Sequence, residues 1–247
     1  MKKEEIKKVV KKHYSKIAVS RGCGSCCCGS NNENEQISKS IGYSDSEIES
    51  FADANMGLGC GNPTALGQIK EGDIVLDLGS ATGFDCFLAR KKVGSRGRVI
   101  GVDFSKEMIE KAEKNAQKYG YENIDFKYGD IENLPIDNSS IDVVISNCVI
   151  NLAPDKSKVF KEIYRVLKDK GRAYLSDIVL LKSLSKKYKE DEKLLAGCVA
   201  GALLKEDYLK IIKDAGFEVK VLEEDKGISK KQYNNMPLES LKIEAIK

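Results

Sequence analysis

Apolar positions along this chain change their spacing near residue 74. Before it the one sustained pattern is helical: over residues 2–18 a lysine-rich segment carries Ile6, Val9, Val10 and Ile17 on roughly one face. Residues 20–36, SRGCGSCCCGSNNENEQ, show no period and are rich in Gly, Ser, Asn and Cys, which predicts a mobile loop. A second loop is predicted at 57–63, GLGCGNP, carrying Cys60 into a short helix. From residue 74 short apolar runs alternate with helical stretches. Strands are predicted at 74–78, 99–102, 124–128, 141–146, 173–178 and 217–222, and at 241–246, where apolar and polar residues alternate. Helices are predicted at 106–119, with Ser105 as N-cap, and at 156–168, stopped by Gly171. Strands alternating with helices imply a parallel sheet covered on both faces, an α/β doubly wound fold. No internal repeat is visible.

Composition narrows the classes. The chain has 247 residues, with 41 Lys and Arg against 38 Asp and Glu, a net charge of +3. Length fits one main domain with appendages. The balance gives no reason to expect nucleic acid or an anionic membrane as partner. No apolar run approaches a membrane span, and the start MKKEEIKKVVKKHY lacks the apolar segment of a secretion signal, so a cytoplasmic location is expected. Eight cysteines, at 23, 26, 27, 28, 60, 86, 148 and 198, are then expected to be thiols available for metal or redox chemistry. Cys26, Cys27 and Cys28 are consecutive and cannot easily all turn to one tetrahedral ion, and the Cys23–Cys26 CxxC has no second CxxC, so structural zinc fits poorly. The single histidine, His13, falls on the N-terminal helix, where it reads as a surface residue.

The first chemical motif is VLDLGSATGFD, residues 75–85: strand, glycine turn, helix. Gly79 and Gly83 let backbone approach a ligand, and the following helix presents free N–H groups. Asp103 closes the next strand, 24 residues beyond Gly79, near the spacing of an acid that accepts hydrogen bonds from ribose hydroxyls. A further acidic cluster, Asp130 and Glu132 in YGDIENLP, ends the strand after that. Together they predict an adenosine-sized cavity beside a strand-end acid.

DLGSATG, GVDFS, GDIENLP and VLKDKGRAYLSD, in this order and spacing, resemble the successive motifs of class I S-adenosylmethionine-dependent methyltransferases. The resemblance implies a Rossmann-like seven-stranded sheet with an antiparallel final strand. It also implies a cofactor site in which Asp77, Gly79, Ser80, Ala81, Thr82 and Gly83 hold the methionine end, Asp103 the ribose, and Asp130 with Ile131 the adenine, with Phe104, Glu132 and Asn147 completing the set. Three cysteine-bearing blocks, GLGCGNPTAL, SNCVINLAPDK and GCVAGAL, with GYSDSEI upstream and SDIVL after the fifth strand, resemble a narrower family, the arsenite methyltransferases. On this basis residues 1–56 are expected to form an N-terminal helix and cysteine-containing loop, 57–182 the S-adenosylmethionine-binding core, and 183–247 an arsenic-site insertion with the last helix and final strands.

The placement of the cysteines supports a shared site independently. Cys60 precedes strand one, Cys148 follows strand four and Cys198 lies in the insertion after strand five. Strand carboxyl ends form the ligand crevice of a doubly wound sheet, so three thiols can converge there. All three fall in Gly/Asn-rich turns, where a core residue has little to pack against. Cys86, amid Phe84, Phe87 and Leu88, reads instead as a small buried apolar residue. Cys23 and Cys26 to Cys28 read either as a thiol tail or as redox cysteines.

Trivalent arsenic binds up to three sulfurs and keeps a lone pair, and soft thiolates select soft ions. Cys60, Cys148 and Cys198 are therefore the expected catalytic and As(III)-binding residues. The lone pair is the nucleophile and transfer is a positioned in-line displacement, with no general base. Each transfer raises arsenic formally to As(V), and two thiols can return two electrons by forming a disulfide. Cys26 to Cys28 or Cys60 are candidates for that pair. The resemblance implies thioredoxin or glutathione as reductant and arsenite and methylated trivalent arsenicals as substrates; a monomer is expected. A quinone-type small-molecule methyltransferase would share the cofactor motifs without needing the cysteines, and a soft-metal sequestering protein would need the cysteines without turnover.

Overall fold

A computed structural model describes residues 1–20 and 30–247. Before the sheet come α1 (Lys3–Ser20), α2 (Ser30–Ser40), α3 (Asp45–Ser50) and the short α4 (Pro63–Leu66). The alternating part runs β1 (Ile74–Leu78), α5 (Phe84–Val93), β2 (Arg98–Asp103), α6 (Lys106–Tyr119), β3 (Ile124–Tyr128), β4 (Ile141–Asn147), α7 (Lys156–Val166) and β5 (Leu167–Leu180). It closes with α8 (Lys186–Lys189), α9 (Glu192–Ala196), α10 (Lys205–Asp214), β6 (Glu218–Asp225), α11 (Ile228–Gln232) and β7 (Leu238–Ile246).

All seven strands form one sheet in the order β3-β2-β1-β4-β5-β7-β6. β1 pairs in parallel with both β2 and β4, so the chain reverses its direction of winding between β1 and β4 and opens a crevice at their carboxyl ends. β7 is antiparallel to both neighbours, with Leu175 opposite Ile243. The strands of residues 218–246 thus complete the sheet begun at residue 74.

One face of the sheet packs Val159, Phe160 and Ile163 of α7 with Tyr208 and Ile212 of α10. The other packs Phe87 and Val93 of α5 with Ile41, Ile48 and Phe51 of the N-terminal segment. α1 lies across α6 and α9, above the strand ends. Among the described residues no helix is long and apolar enough to cross a membrane.

Two expectations need correction. The predicted loop at 20–36 turns helical from Ser30. α2 has no apolar stripe to betray it; polar contacts anchor it, with Ser38 Oγ donating to Asn55 Oδ1 at 2.8 Å and Asn34 packed against Gly57. Cys23 and Cys26 to Cys28 lie outside the described residues. The second correction concerns α7, which stops at Val166 rather than 168 because Leu167 already pairs with Ile141, and Gly171 lies inside β5.

Candidate active site

The glycine turn after β1 is built for close approach. Gly79 has φ +70, and a Cβ there would fall 2.5 Å from Val149 Cγ2. Its N–H and that of Ser80 donate to Val102 O at 2.8 and 3.1 Å, tying the turn to β2. Asp103 faces the turn: Oδ2 accepts from the Ala81 N–H at 3.0 Å and Oδ1 from the Ser105 N–H at 2.9 Å. Thr82 Oγ1 donates to Ala54 O at 2.7 Å, whereas the buried Ser80 Oγ has no hydrogen-bond partner among the described residues. A cavity of about 250 Å³ opens here, lined by Gly79, Ala81, Asp103, Phe104, Asn147, Cys148 and Cys198, with Tyr14 and His13 of α1 and Tyr233 at its rim. A smaller cavity of about 40 Å³ shares the Gly79, Asp103 and Phe104 wall and continues to Asp130 and Ile131. Lys7 of α1 bridges Asp130 Oδ2 at 2.5 Å and Glu132 Oε2 at 2.6 Å.

On the other side of Gly79 lie the buried Asp77 and the partly buried Asp85. Cys86 donates its S–H to Asp77 Oδ2 at 3.2 Å, so this thiol is buried as expected but is also a polar partner. Tyr43 O–H donates to Asp85 Oδ1 at 2.7 Å, and Asn147 Nδ2 donates to Tyr43 Oη at 3.0 Å and Gly61 O at 2.8 Å. Asn147 Oδ1 accepts from the Cys60 N–H at 3.0 Å. Gly59 has φ +123, and a Cβ on it would meet Asn147 Nδ2 at 2.6 Å. Asn147, expected at the cofactor, therefore lines the cavity while its carboxamide clamps the Cys60 loop.

Burial dominates the electrostatics. It pushes the Asp77 carboxyl well up, with the Asp85 charge adding to the rise. It pushes Asp85 and Asp103 to about 6 and Asp177 to about 7, against partly compensating hydrogen bonds. Folding therefore favours the protonated form of each. Their contribution to stability is complete below the ordinary value of 3.8 and is lost as pH rises through about 6 to 7. The ligand-free protein should melt on the order of 10–20 °C lower at pH 8 than at pH 5, the shifts of Asp85, Asp103 and Asp177 together removing roughly 5 kcal/mol over that range at about 1.4 kcal/mol per pH unit and each kcal/mol being worth about 2–4 °C at this size. A melting temperature that rises steadily over that range in scanning calorimetry would contradict these assignments.

The three cysteines arrive from distant segments and meet at the crevice. Cys60, Cys148 and Cys198 are 2%, 7% and 5% exposed, in contrast to the expectation that their turns leave little to pack against. Leu152, Leu195 and Val199 belong to the same apolar cluster and cover them. Cys60 and Cys148 form a disulfide, with Cα atoms 6.0 Å apart. Cys198 is a free thiol that donates to the Cys148 carbonyl at 2.7 Å. Cys148 and Cys198 both take left-handed backbone, φ +57 and +65. Cys148 is held there by its N–H donating to Ser176 O at 2.8 Å. Burial pushes the Cys198 thiol up to about 12; the Asp177 charge adds to this, and a Tyr14 hydrogen bond and the Lys156 charge oppose it. With two sulfurs joined, no cluster of three free ligating side chains occurs among the described residues.

Residues 69–216, more than half of the chain, match the family described as methyltransferase domain. The arsenite methyltransferase of Halobacterium salinarum is 44% identical over 228 residues, covering 87% of this chain and 58% of that protein. The crystal structure of CrArsM, an arsenic(III) S-adenosylmethionine methyltransferase from Chlamydomonas reinhardtii, superposes with a TM-score of 0.67 at 33% identity, covering 85% of this chain and 73% of that one. The chain belongs to the arsenite methyltransferases. A demethylmenaquinone methyltransferase of Lactobacillus johnsonii, 39% identical, matches over 106 residues, only 42% of this chain. The chain spans a little under six-tenths of the Halobacterium arsenite methyltransferase.

Residues beyond those expected from the sequence also border or brace the crevice. Tyr43 lies in the GYSDSEI block, and its pairing with Asp85 had a signal in that motif though not in spacing. Lys7 has none, because the period of residues 2–18 marks only the apolar face and its partners Asp130 and Glu132 lie more than a hundred positions away. Tyr14 of α1 and Tyr233, just after α11, also line the larger cavity, and the sequence offers no helix around residue 233.

Proposed function

We propose that this protein transfers a methyl group from S-adenosylmethionine to trivalent arsenic held by cysteine sulfur, in arsenic detoxification. The observation that carries the reading is the convergence of Cys60, Cys148 and Cys198 at the crevice above Gly79 and Asp103. A quinone acceptor gives no reason for that convergence.

The residues present fit the cofactor. The cavity has the buried carboxylate of Asp103 on its wall, and Gly79, where a Cβ would fall 2.5 Å from Val149 Cγ2, leaves backbone open to a ligand beside it. Asp103 would accept the ribose hydroxyls, and Asp130 and Ile131 would border the adenine at the smaller cavity. Asp77 and the turn from Gly79 through Ser80, Ala81 and Thr82 to Gly83 would hold the methionine end, with Phe104 against the nucleoside. Glu132, paired with Lys7, would steady the adenine side. When bound, S-adenosylmethionine supplies an electrophilic methyl on a sulfonium centre.

The protein's own contribution is capture, orientation and electrons. Each thiol proton leaves with one hydroxide of arsenic trihydroxide as water, so capture by three neutral thiols makes three As–S bonds and three waters with no net proton release. The sulfurs then aim the arsenic lone pair along the line of transfer, and alignment is the main catalytic contribution. His13 is at the cavity rim, and no base is needed because the attacking lone pair carries no proton. Methylation leaves arsenic formally As(V); two thiolates give back two electrons by joining as a disulfide. Cys60 and Cys148 are close enough to form that bond. An external thiol, thioredoxin or glutathione, would reopen it.

Two measurements test this reading. Arsenite should drive release of S-adenosylhomocysteine by the reduced protein, and a reduced naphthoquinone should not; the reverse preference would overturn the proposal. Asp103→Ala should weaken S-adenosylmethionine roughly ten- to a hundredfold in calorimetry, because losing a charged acceptor costs about 1.5–3 kcal/mol. Unchanged affinity would remove the ribose assignment.

A further inference from the structure

Several lysines of α1 reach polar groups near the strand ends, and one of these ties differs from the rest. Lys3 Nζ meets Asp155 Oδ2 at 2.6 Å, and Lys11 Nζ donates to Tyr128 Oη at 3.1 Å. Both are surface contacts, and exposed ion pairs contribute only about 0–1 kcal/mol. Lys7 instead faces a cavity. With Val10, one turn further along α1, it lines the smaller cavity beside Phe104, Asp130 and Ile131. α1 lies outside residues 69–216, the part that matches the methyltransferase domain, so the helix adds this wall from beyond the core.

The Lys7 ammonium stands between two carboxylates. Asp130 Oδ2 lies at 2.5 Å from it and Glu132 Oε2 at 2.6 Å. The remaining oxygens are held by backbone: Asp130 Oδ1 accepts from the Glu132 N–H at 2.9 Å, and Glu132 Oε1 from the Asp155 N–H at 2.7 Å. The Glu132 side chain is 8% exposed and that of Asp130 is 42% exposed. A buried carboxylate without its counter-charge is costly, and two carboxylates within reach of one nitrogen repel each other once that nitrogen is gone. Asp130 is the partner with solvent to turn towards. A carboxylate oxygen has more than one lone pair, so Asp130 Oδ2 can serve Lys7 and still accept from the amino group of adenine.

We propose that Lys7 is a positioning residue for the adenine of the cofactor: it neutralises Glu132 and pins the Asp130 carboxylate on the cavity wall, where that carboxylate can accept from the base. The N-terminal helix thereby sets part of the cofactor affinity, acting through Asp130. This rests on reading the smaller cavity as the adenine end of the cofactor site.

The test is competition calorimetry on the reduced full chain with S-adenosylhomocysteine, with methylthioadenosine, which keeps adenine and lacks the amino acid, and with S-ribosylhomocysteine, which keeps the amino acid and lacks adenine. Lys7→Met should weaken the two adenine ligands about tenfold each and leave S-ribosylhomocysteine within about twofold, the loss being that of one charge-assisted hydrogen bond. Lys7→Arg keeps the charge and should stay within about threefold of the parent. Lys11→Met, which cuts the neighbouring tie of α1 away from the cavity, should leave all three ligands unchanged. In an Asp130→Asn background, Lys7→Met should add less than about twofold, because the two residues act as a unit. A merely structural role predicts another pattern: a loosened α1 weakens all three ligands alike, and Lys11→Met does the same. Unchanged S-adenosylhomocysteine affinity in Lys7→Met, equal losses for S-ribosylhomocysteine and S-adenosylhomocysteine, or the full effect persisting in Asp130→Asn overturns the proposal while leaving the cofactor reading in place. A parent protein that does not bind S-adenosylhomocysteine overturns the cofactor reading and this inference with it.

Discussion

Serine at Cys148 or Cys198 is expected to abolish methylation of both arsenite and a monomethylated trivalent arsenical, with a loss on the order of a hundredfold or more. A hydroxyl is a hard donor and does not replace a thiolate on a soft centre. Once arsenic carries one methyl, only two valences remain for sulfur, so the second round needs two cysteines where the first can use three. Cys148 and Cys198 are the natural pair: the Cys198 sulfur lies 2.7 Å from the Cys148 carbonyl, and both border the cavity that Asp103 shares. Cys60 comes in on a separate loop held by Asn147. Cys60→Ser should therefore lose activity on arsenite yet keep the methyl-transfer step on the monomethylated substrate, read as a single turnover, with the external thiol supplying the electrons that Cys60 and Cys148 otherwise give together. Inactivity of Cys60→Ser on both substrates would show that the division of labour is wrong.

The second large effect is redox. With Cys60 and Cys148 joined, Cys198 is the one free thiol at the crevice among the described residues, and one sulfur cannot chelate arsenic. Oxidised protein is expected to take up no phenylarsine oxide by chelation, and protein reduced by a dithiol, then freed of it, to take up one equivalent at this site. Mass spectrometry of the intact complex with the other cysteines changed to serine reads this directly. Equal uptake by oxidised and reduced protein would place the arsenical elsewhere.

Much of the fold was legible because its signals are local. The boundaries of β1 and β3 follow from short apolar runs, and α6 from its period and the Ser105 cap, whose Oγ accepts from the Met108 N–H. α2 was not legible, since Asn34 and Ser38 are held by partners far along the chain rather than by an apolar face. The candidate site divides in the same way. Gly79 and Asp103 announce themselves by residue type and spacing. Whether Cys60 and Cys148 stand as thiols or as a bond depends on a Cα separation that no spacing encodes. The direction of the Asn147 carboxamide was equally hidden, because its partners Cys60 and Gly61 lie 87 and 86 positions away.

The central claim is that sulfur-bound trivalent arsenic is methylated at this crevice. Its most direct test is arsenic speciation after the reduced full chain is incubated with arsenite, S-adenosylmethionine and a thiol reductant. The structure predicts methylated arsenicals in stoichiometric excess over protein, dependent on Cys148 and Cys198. Absence of any methylated arsenic, from protein whose cysteines are reduced and whose cofactor binding is verified by calorimetry, would contradict it.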